Sequence, residues 1–300
     1  MKILQEEPLS RHGYWRVGGP LERLVLVADA AELAAVYAED PHLHLLGNGS
    51  NLLVPDAGLR GTVVKLVGAF RETRILAEDG LGPSGDTVRF YAGGGLLNAV
   101  LLARAAKLGL AGLGPLAGVP GTVGGAVAMN AGTALGEVAD VVDAVEGIGP
   151  DGPVTIARAA LPMRYREGGL PAGFVVTGVH FRLTRAGFEE EQARVTAHLV
   201  RRKATQPLDL PSCGSVFRNP PGDAAGRLIE SVGLKGHREG GAAISERHAN
   251  FIVNLGGASA ADVMACVRVA WDRVRAVTGV TLVPEVHVLG DWPASVWPLA

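Results

Sequence analysis

"LAGVPGTVGGAVAMNAG", residues 116–132, is the stretch on which the fold turns. Gly118, Gly121, Gly124, Gly125 and Gly132 punctuate an apolar run that is too glycine-rich for a stable helix and too smooth for a solvent loop. Two readings stay open. One is a thin wall whose bare backbone contacts a flat, extended ligand; the other is a tightly packed corner of a sheet. A second cluster, "GNGSN" at 47–51, follows a strand-like run. It is not a dinucleotide fingerprint, because Leu52 stands where the last glycine belongs and Pro55 and Gly58 forbid the helix that should follow. No phosphate-loop lysine follows either. Consecutive amides beside Ser50 and Asn51 suit an anion nest, and equally a plain turn.

Outward from these loops, residues 21–46 read as strand, helix, strand, with Asp29 as N-cap. "LLNAVLLARAAKLG" is a helix closed by Gly109, and 137–186 alternates as strands do. A charged helix, "EEEQARVTAHLVRRKAT", stops before Pro207 and marks a boundary. Beyond it lie a helix at 224–232, a strand "ANFIVNL", a long helix at 260–278 and a strand "VTLVPEVHVLG". The long helix opens on Ser259 and Asp262 as a capping box, ends at Gly279, and carries Val263, Val267, Ala270, Val274 and Val277 on one face. The class is α+β.

The 300-residue length predicts two or three domains. With 48% hydrophobic and 19% charged residues and a net charge of −2, nothing favours nucleic acid or an anionic membrane as a partner. The N-terminus shows no signal-peptide pattern and no apolar run reaches spanning length, so a cytoplasmic protein is expected. Two cysteines, Cys213 and Cys266, exclude a disulfide scaffold and a cysteine-based zinc site, and no metal is expected. Forty-two glycines point to loops that grip a ligand with backbone.

The two glycine loops in this order resemble the paired FAD-binding loops of the UDP-N-acetylenolpyruvoylglucosamine reductase family. The likeness continues through "YWRVGGP", "RYRE" at 164–167, "RRKATQP" at 201–207, "CGSVFRNP", "AGRLIESVGLKG", "GGAAISERHANFIVN" and "PEVHVLG". The short connection from Phe174 to Phe181 resembles the branch that lacks an extra tyrosine-bearing loop. The resemblance implies a two-part vanillyl-alcohol-oxidase-type FAD-binding fold over residues 1–68 and 69–200. A C-terminal α+β substrate-binding domain over 201–290 and a tail at 291–300 complete it.

It further implies an NADPH-dependent flavoenzyme of peptidoglycan synthesis. Such an enzyme reduces the enolpyruvyl ether of UDP-N-acetylglucosamine to UDP-N-acetylmuramate by hydride transfer from FAD and protonation of the enolate. FAD-binding residues by this likeness are Gly47, Asn48, Gly49, Ser50, Asn51, Gly118, Pro120, Gly121, Thr122, Gly124, Gly125, Asn130 and Gly132. "GNGSN" has no histidine for a covalent flavin link, so the cofactor is expected to be non-covalent. Ser215 matches the family's proton donor, Arg166 its carboxylate- and enolate-binding arginine, and Glu285 its C-terminal glutamate. Developing negative charge on the substrate needs such groups.

On "TLVPEVHV", Glu285 alternates with the apolar Leu282, Val286 and Val288 and so faces away from them. Tyr165, Lys203, Arg218, Asn219 and His248 match substrate-binding positions, Lys203 standing twelve residues before Ser215; a structural histidine is an equal reading of His248. Cys213 has a serine and an arginine nearby but no histidine partner, which argues against a nucleophile. A UDP-sugar and NADPH are the expected partners, and a monomer or weak oligomer the expected state. Another non-covalent FAD oxidoreductase and a non-catalytic nucleotide-binding module are the competing functions.

Overall fold

The computed structural model describes residues 1–79 and 87–298, so the last two residues of the tail lie outside it. The chain forms two compact units that interleave in sequence. The first comprises Met1–Ile3, Leu24–Asn48 and Thr62–Arg201, and the second Leu4–Arg23, Gly49–Gly61 and Arg202–Ala300.

The first unit is built on an antiparallel five-stranded sheet in the order Gly152–Ala157, Val142–Gly149, Val175–Thr184, Thr87–Gly93, Thr73–Asp79. Alternation buries Val88, Phe90, Val145, Val179 and Phe181 on one face, all at most 1% exposed. Helix α1 (Ala30–Glu39) starts where Asp29 accepts the Glu32 amide at 2.9 Å, and it buries Leu33, Val36 and Tyr37. Helix α2 (Asn98–Lys107) is followed by Gly109 at φ +66°, as the sequence predicts.

The stretch 116–132 departs from its expectation. It contains a short helix, α3 (Val123–Ala128), in spite of Gly124 and Gly125. Thr122 caps it by accepting the Gly125 amide at 3.3 Å, and the amides of Val123 and Gly124 bond the carbonyls of Leu96 and Gly94. A Cβ at Gly124 would sit 3.0 Å from the Gly94 oxygen and 3.4 Å from Val176. The glycine that weakens an isolated helix is what lets this one lie directly on neighbouring backbone, and packing overrides propensity.

Helix α4 (Phe188–Thr205) carries Glu191, whose carboxylate accepts the Gly112 amide at 2.9 Å and the Gly114 amide at 3.3 Å. This pins the segment leading into the second glycine loop. Glu191→Ala leaves both amides without that acceptor and is expected to destabilise the protein by about 2–3 kcal/mol in denaturant titration.

The second unit packs α5 (Ala225–Ser231) and α6 (Ala260–Thr278) on a small antiparallel sheet of Arg238–Glu239, Ala242–Ile244 and Ile252–Asn254. In α6 both bonds of the Ser259–Asp262 capping box are present and Gly279 takes φ +74°. Val263, Val267 and Val274 are fully buried, each contributing about 1.5–2 kcal/mol. Val277, expected on the same face, is 59% exposed, because the last turn outruns the core. Asp56 reinforces the start of α6 by accepting the amides of Ala260 and Ala261 at 2.8 and 3.0 Å. The N-terminal segment belongs to this core: Trp15 Nε1 donates to the Ile252 carbonyl at 2.6 Å, and Asn254 returns a bond to the Trp15 carbonyl at 2.9 Å.

The segment "VTLVPEVHVLG" is largely irregular rather than one strand. Only His287–Val288 forms a ladder, parallel to Leu52–Leu53. Pro284, which lacks an amide, makes one isolated antiparallel bridge with Phe217, in which the Arg218 amide donates to the Val283 carbonyl, and Trp271 Nε1 takes the Leu282 carbonyl. No helix among the described residues is long and apolar enough to cross a membrane.

Candidate active site

In the second unit, Ser215 sits just past Gly214, which turns at φ +80° with open space where a Cβ would be. Cys213 behind it is buried, and its Sγ donates to the Gly49 carbonyl at 3.6 Å. Burial pushes its thiol up to about 12, so no thiolate forms at neutral pH. The thiol of Cys266, buried in α6, is likewise pushed up to about 12 by burial. Ellman's reagent at about pH 8 is therefore expected to find neither thiol in the native protein and both after unfolding.

The serine segment is clamped on both sides. Ser215 bridges Phe251, and the Val216 amide donates to the Asn250 carbonyl at 2.9 Å. The Asn250 side chain, 3% exposed, acts as a strand partner: Oδ1 accepts the Phe217 amide at 3.0 Å and Nδ2 donates to the Phe217 carbonyl at 2.8 Å. On the other side, the Glu285 amide donates to the Val216 carbonyl at 2.8 Å. Ser215 and Glu285, seventy positions apart, thus stand on adjoining backbone segments. Leu282 and Val286 are buried while Glu285 is half-exposed, as its alternation predicts.

The first glycine loop reaches the same place. Asn51 Nδ2 donates to the Glu285 carbonyl at 3.0 Å, and the His287 amide donates to the Asn51 carbonyl at 3.1 Å. Asn250 had no role in the sequence reading. Its one signal was a polar residue inside the strand-like run "ANFIVNL", which once buried has to find partners.

Among the expected substrate residues of this unit, Arg218 is half-buried and Lys203 is exposed. Asn219 is exposed and uses its Oδ1 to accept the first amide of α5, Ala225, at 3.0 Å. His248 packs edge-on against Phe251 with ring centres 4.8 Å apart, and its Nδ1 accepts the Asn250 amide at 3.2 Å. Burial lowers its pKa and favours the neutral ring, and with Nδ1 accepting, the ring proton belongs on Nε2.

In the first unit, Tyr165 and Arg166 form the tip of a tight turn closed by paired bonds between Arg164 and Glu167, at 2.8 and 2.9 Å. Arg166 takes φ +61°, rare for a side-chain-bearing residue. Its guanidinium lies 4.7 Å over the Tyr165 ring, and Nη2 donates to the Gly132 carbonyl at 3.4 Å. The arginine turn and the second glycine loop are therefore joined.

Several glycines of the two loops are demanded by close packing against the protein's own atoms or by a left-handed backbone. A Cβ at Gly47 would lie 2.9 Å from Thr122 Oγ1, and one at Gly49, at φ +61°, would lie 2.5 Å from the His12 carbonyl. Gly118 and Gly121 take φ +72° and +118°. Among the described residues, the amides of Gly47 and Gly121, both in the first unit, donate to no acceptor and are left as donors for the oxygens of a dinucleotide. No group of three or more His, Cys, Asp or Glu side chains among the described residues is placed to hold a metal.

An FAD-binding oxidoreductase is the class this α+β architecture defines: the family model for the FAD binding domain matches residues 22–158. The model for the C-terminal domain of UDP-N-acetylenolpyruvoylglucosamine reductase matches residues 206–289. The reductase of Anaeromyxobacter sp. (strain Fw109-5) is 46% identical over 98% of this chain and 91% of its own length. That of Alkalilimnicola ehrlichii is 46% identical over 95% of this chain and 94% of its own. The crystal structure of the Thermus caldophilus reductase superimposes with a TM-score of 0.81 at 39% identity, covering 97% of this chain and 98% of that one. The chain belongs to the UDP-N-acetylenolpyruvoylglucosamine reductase family, and with it to the FAD-dependent oxidoreductases of peptidoglycan synthesis. Its fold is the expected FAD-binding domain followed by the family's C-terminal domain, with helices and strands mixed in both.

Proposed function

We propose that the protein reduces the enolpyruvyl ether of UDP-N-acetylglucosamine to UDP-N-acetylmuramate in the cytoplasm, drawing its electrons from NADPH. The observation that carries this reading is the placement of Ser215 beside Glu285, linked through the Glu285 amide and the Val216 carbonyl at 2.8 Å. FAD, when bound, supplies the hydride received by the β-carbon of the enol ether. The glycine loops hold it without a covalent bond, through bare amides; residues 1–68 and 69–200 supply this part and 201–290 the substrate domain, with 4–23 and 49–61 sharing the core of the latter.

Ser215 gives its hydroxyl proton to the α-carbon as charge builds there and regains a proton before the next turnover, and Glu285, in its protonated form, donates a hydrogen bond to the enolic oxygens from the adjoining segment. Arg166 holds the substrate carboxylate, a task that suits a permanent charge in a rigid fork. Lys203, Arg218, Asn219, Tyr165 and His248 contact the remainder of the UDP-sugar.

The test is spectroscopic. Anaerobic protein carrying FAD is expected to bleach with NADPH and to recover its colour when the enolpyruvyl nucleotide is added. Bleaching without recovery by that nucleotide would assign the protein another substrate.

A further inference from the structure

Asn130 is wholly buried, at 0% exposure, and takes φ +41°. Its amide is fully committed inside the protein. One Nδ2 hydrogen goes to Glu137 Oε2 at 2.7 Å and the other to the Arg164 carbonyl at 2.9 Å, while Oδ1 accepts the Ala139 amide at 3.1 Å. The Glu137 carboxylate fixes which way the amide faces, since only the NH₂ end can meet it. The Arg164 carbonyl so held also accepts the Glu167 amide, closing the turn that carries Arg166 at φ +61°. Two residues past Asn130, the Gly132 carbonyl takes Arg166 Nη2, so one short segment holds the turn at its base and at its tip.

We propose that Asn130 is a positioning residue for the reaction: through the Arg164 carbonyl it holds Arg166 in its left-handed conformation, aimed at the substrate carboxylate. This rests on the role given to Arg166 above. A left-handed arginine persists only where its surroundings over-determine it. Asn130 supplies that constraint with a side chain that has no donor left for the cofactor. Glu137, paired across the short hairpin with Gly132, orients the asparagine in turn.

The experiment uses the FAD-loaded protein and follows each half-reaction by anaerobic stopped flow. Asn130→Gly keeps the positive φ and removes all three side-chain bonds. It is expected to retain FAD and its spectrum and to be reduced by NADPH at close to the native rate. Flavin reoxidation by the enolpyruvyl nucleotide should slow on the order of 10²-fold, with weaker substrate saturation. Asn130→Asp, which sets a carboxylate against Glu137, should show the same selective loss. Adding Glu137→Gln to that variant restores a donor across the pair and should recover part of the rate.

Arg166→Gln is the reference. If it slows reoxidation while Asn130→Gly does not, the positioning role fails and the arginine's role stands. If Arg166→Gln itself reoxidises normally, the arginine's role fails and the inference with it. Loss of FAD from Asn130→Gly would make Asn130 a cofactor residue and overturn the proposal.

Discussion

Ser215→Ala is expected to bleach normally with NADPH and then to stay colourless for much longer in the presence of the enolpyruvyl nucleotide. Removing a positioned general acid costs on the order of 10²–10⁴-fold, and the whole loss should fall on reoxidation, since reduction of the flavin requires no proton from this hydroxyl. Fold and cofactor should be untouched. Ser215 is half-buried, its position is fixed by backbone bonds at Val216, and alanine preserves them. Equal slowing of both half-reactions would show that the site had been distorted and not merely deprived of an acid. Native rates in both would place the proton donor elsewhere.

Asn250→Ala should unfold the protein more easily and damage catalysis without touching a reacting atom. Its side chain satisfies both the amide and the carbonyl of Phe217, a residue 1% exposed. Alanine leaves two buried backbone groups unpaired, a cost of about 3 kcal/mol that should be read as a lower denaturant midpoint. Asn250→Asp retains the acceptor for the Phe217 amide but sets a buried carboxylate against the Phe217 carbonyl, so its midpoint should fall at least as far as that of the alanine variant. Both substitutions loosen the segment that presents Ser215, and activity should drop in both.

Local chemistry was legible in the sequence where it acts over a few residues. Asp29, Ser259, Asp262 and Gly279 announce their helix ends, and each makes the bond or conformation that its residue type predicts. Helix α3 was not legible. Its glycines argue against a helix until the carbonyl of Gly94 and the strand at Val176 are brought against them, and those contacts are distant in sequence. The Pro284 region falls short of a continuous strand for the same kind of reason: it pairs with Phe217 at one antiparallel bridge, while the Leu282 carbonyl is taken by the Trp271 side chain.

At the site, motif order pointed to Ser215, Arg166 and Glu285. Asn250, which holds the segment of Ser215, was not singled out, and Asn130 was singled out only as a cofactor contact, not as a partner of the Arg166 turn. Both are buried asparagines whose purpose is visible only once their backbone partners are known.

The interleaving of the two units has a consequence for biosynthesis. Trp15, Val17 and Leu53 emerge from the ribosome early, yet they share one core with Ile252, Val263 and Val267. Until the last quarter of the chain is made, these early side chains have no permanent neighbours, and the nascent protein must carry them unshielded for much of its translation. A premature stop after α4 would thus release a fragment with sticky apolar ends at its own beginning, a natural client for chaperones and proteases.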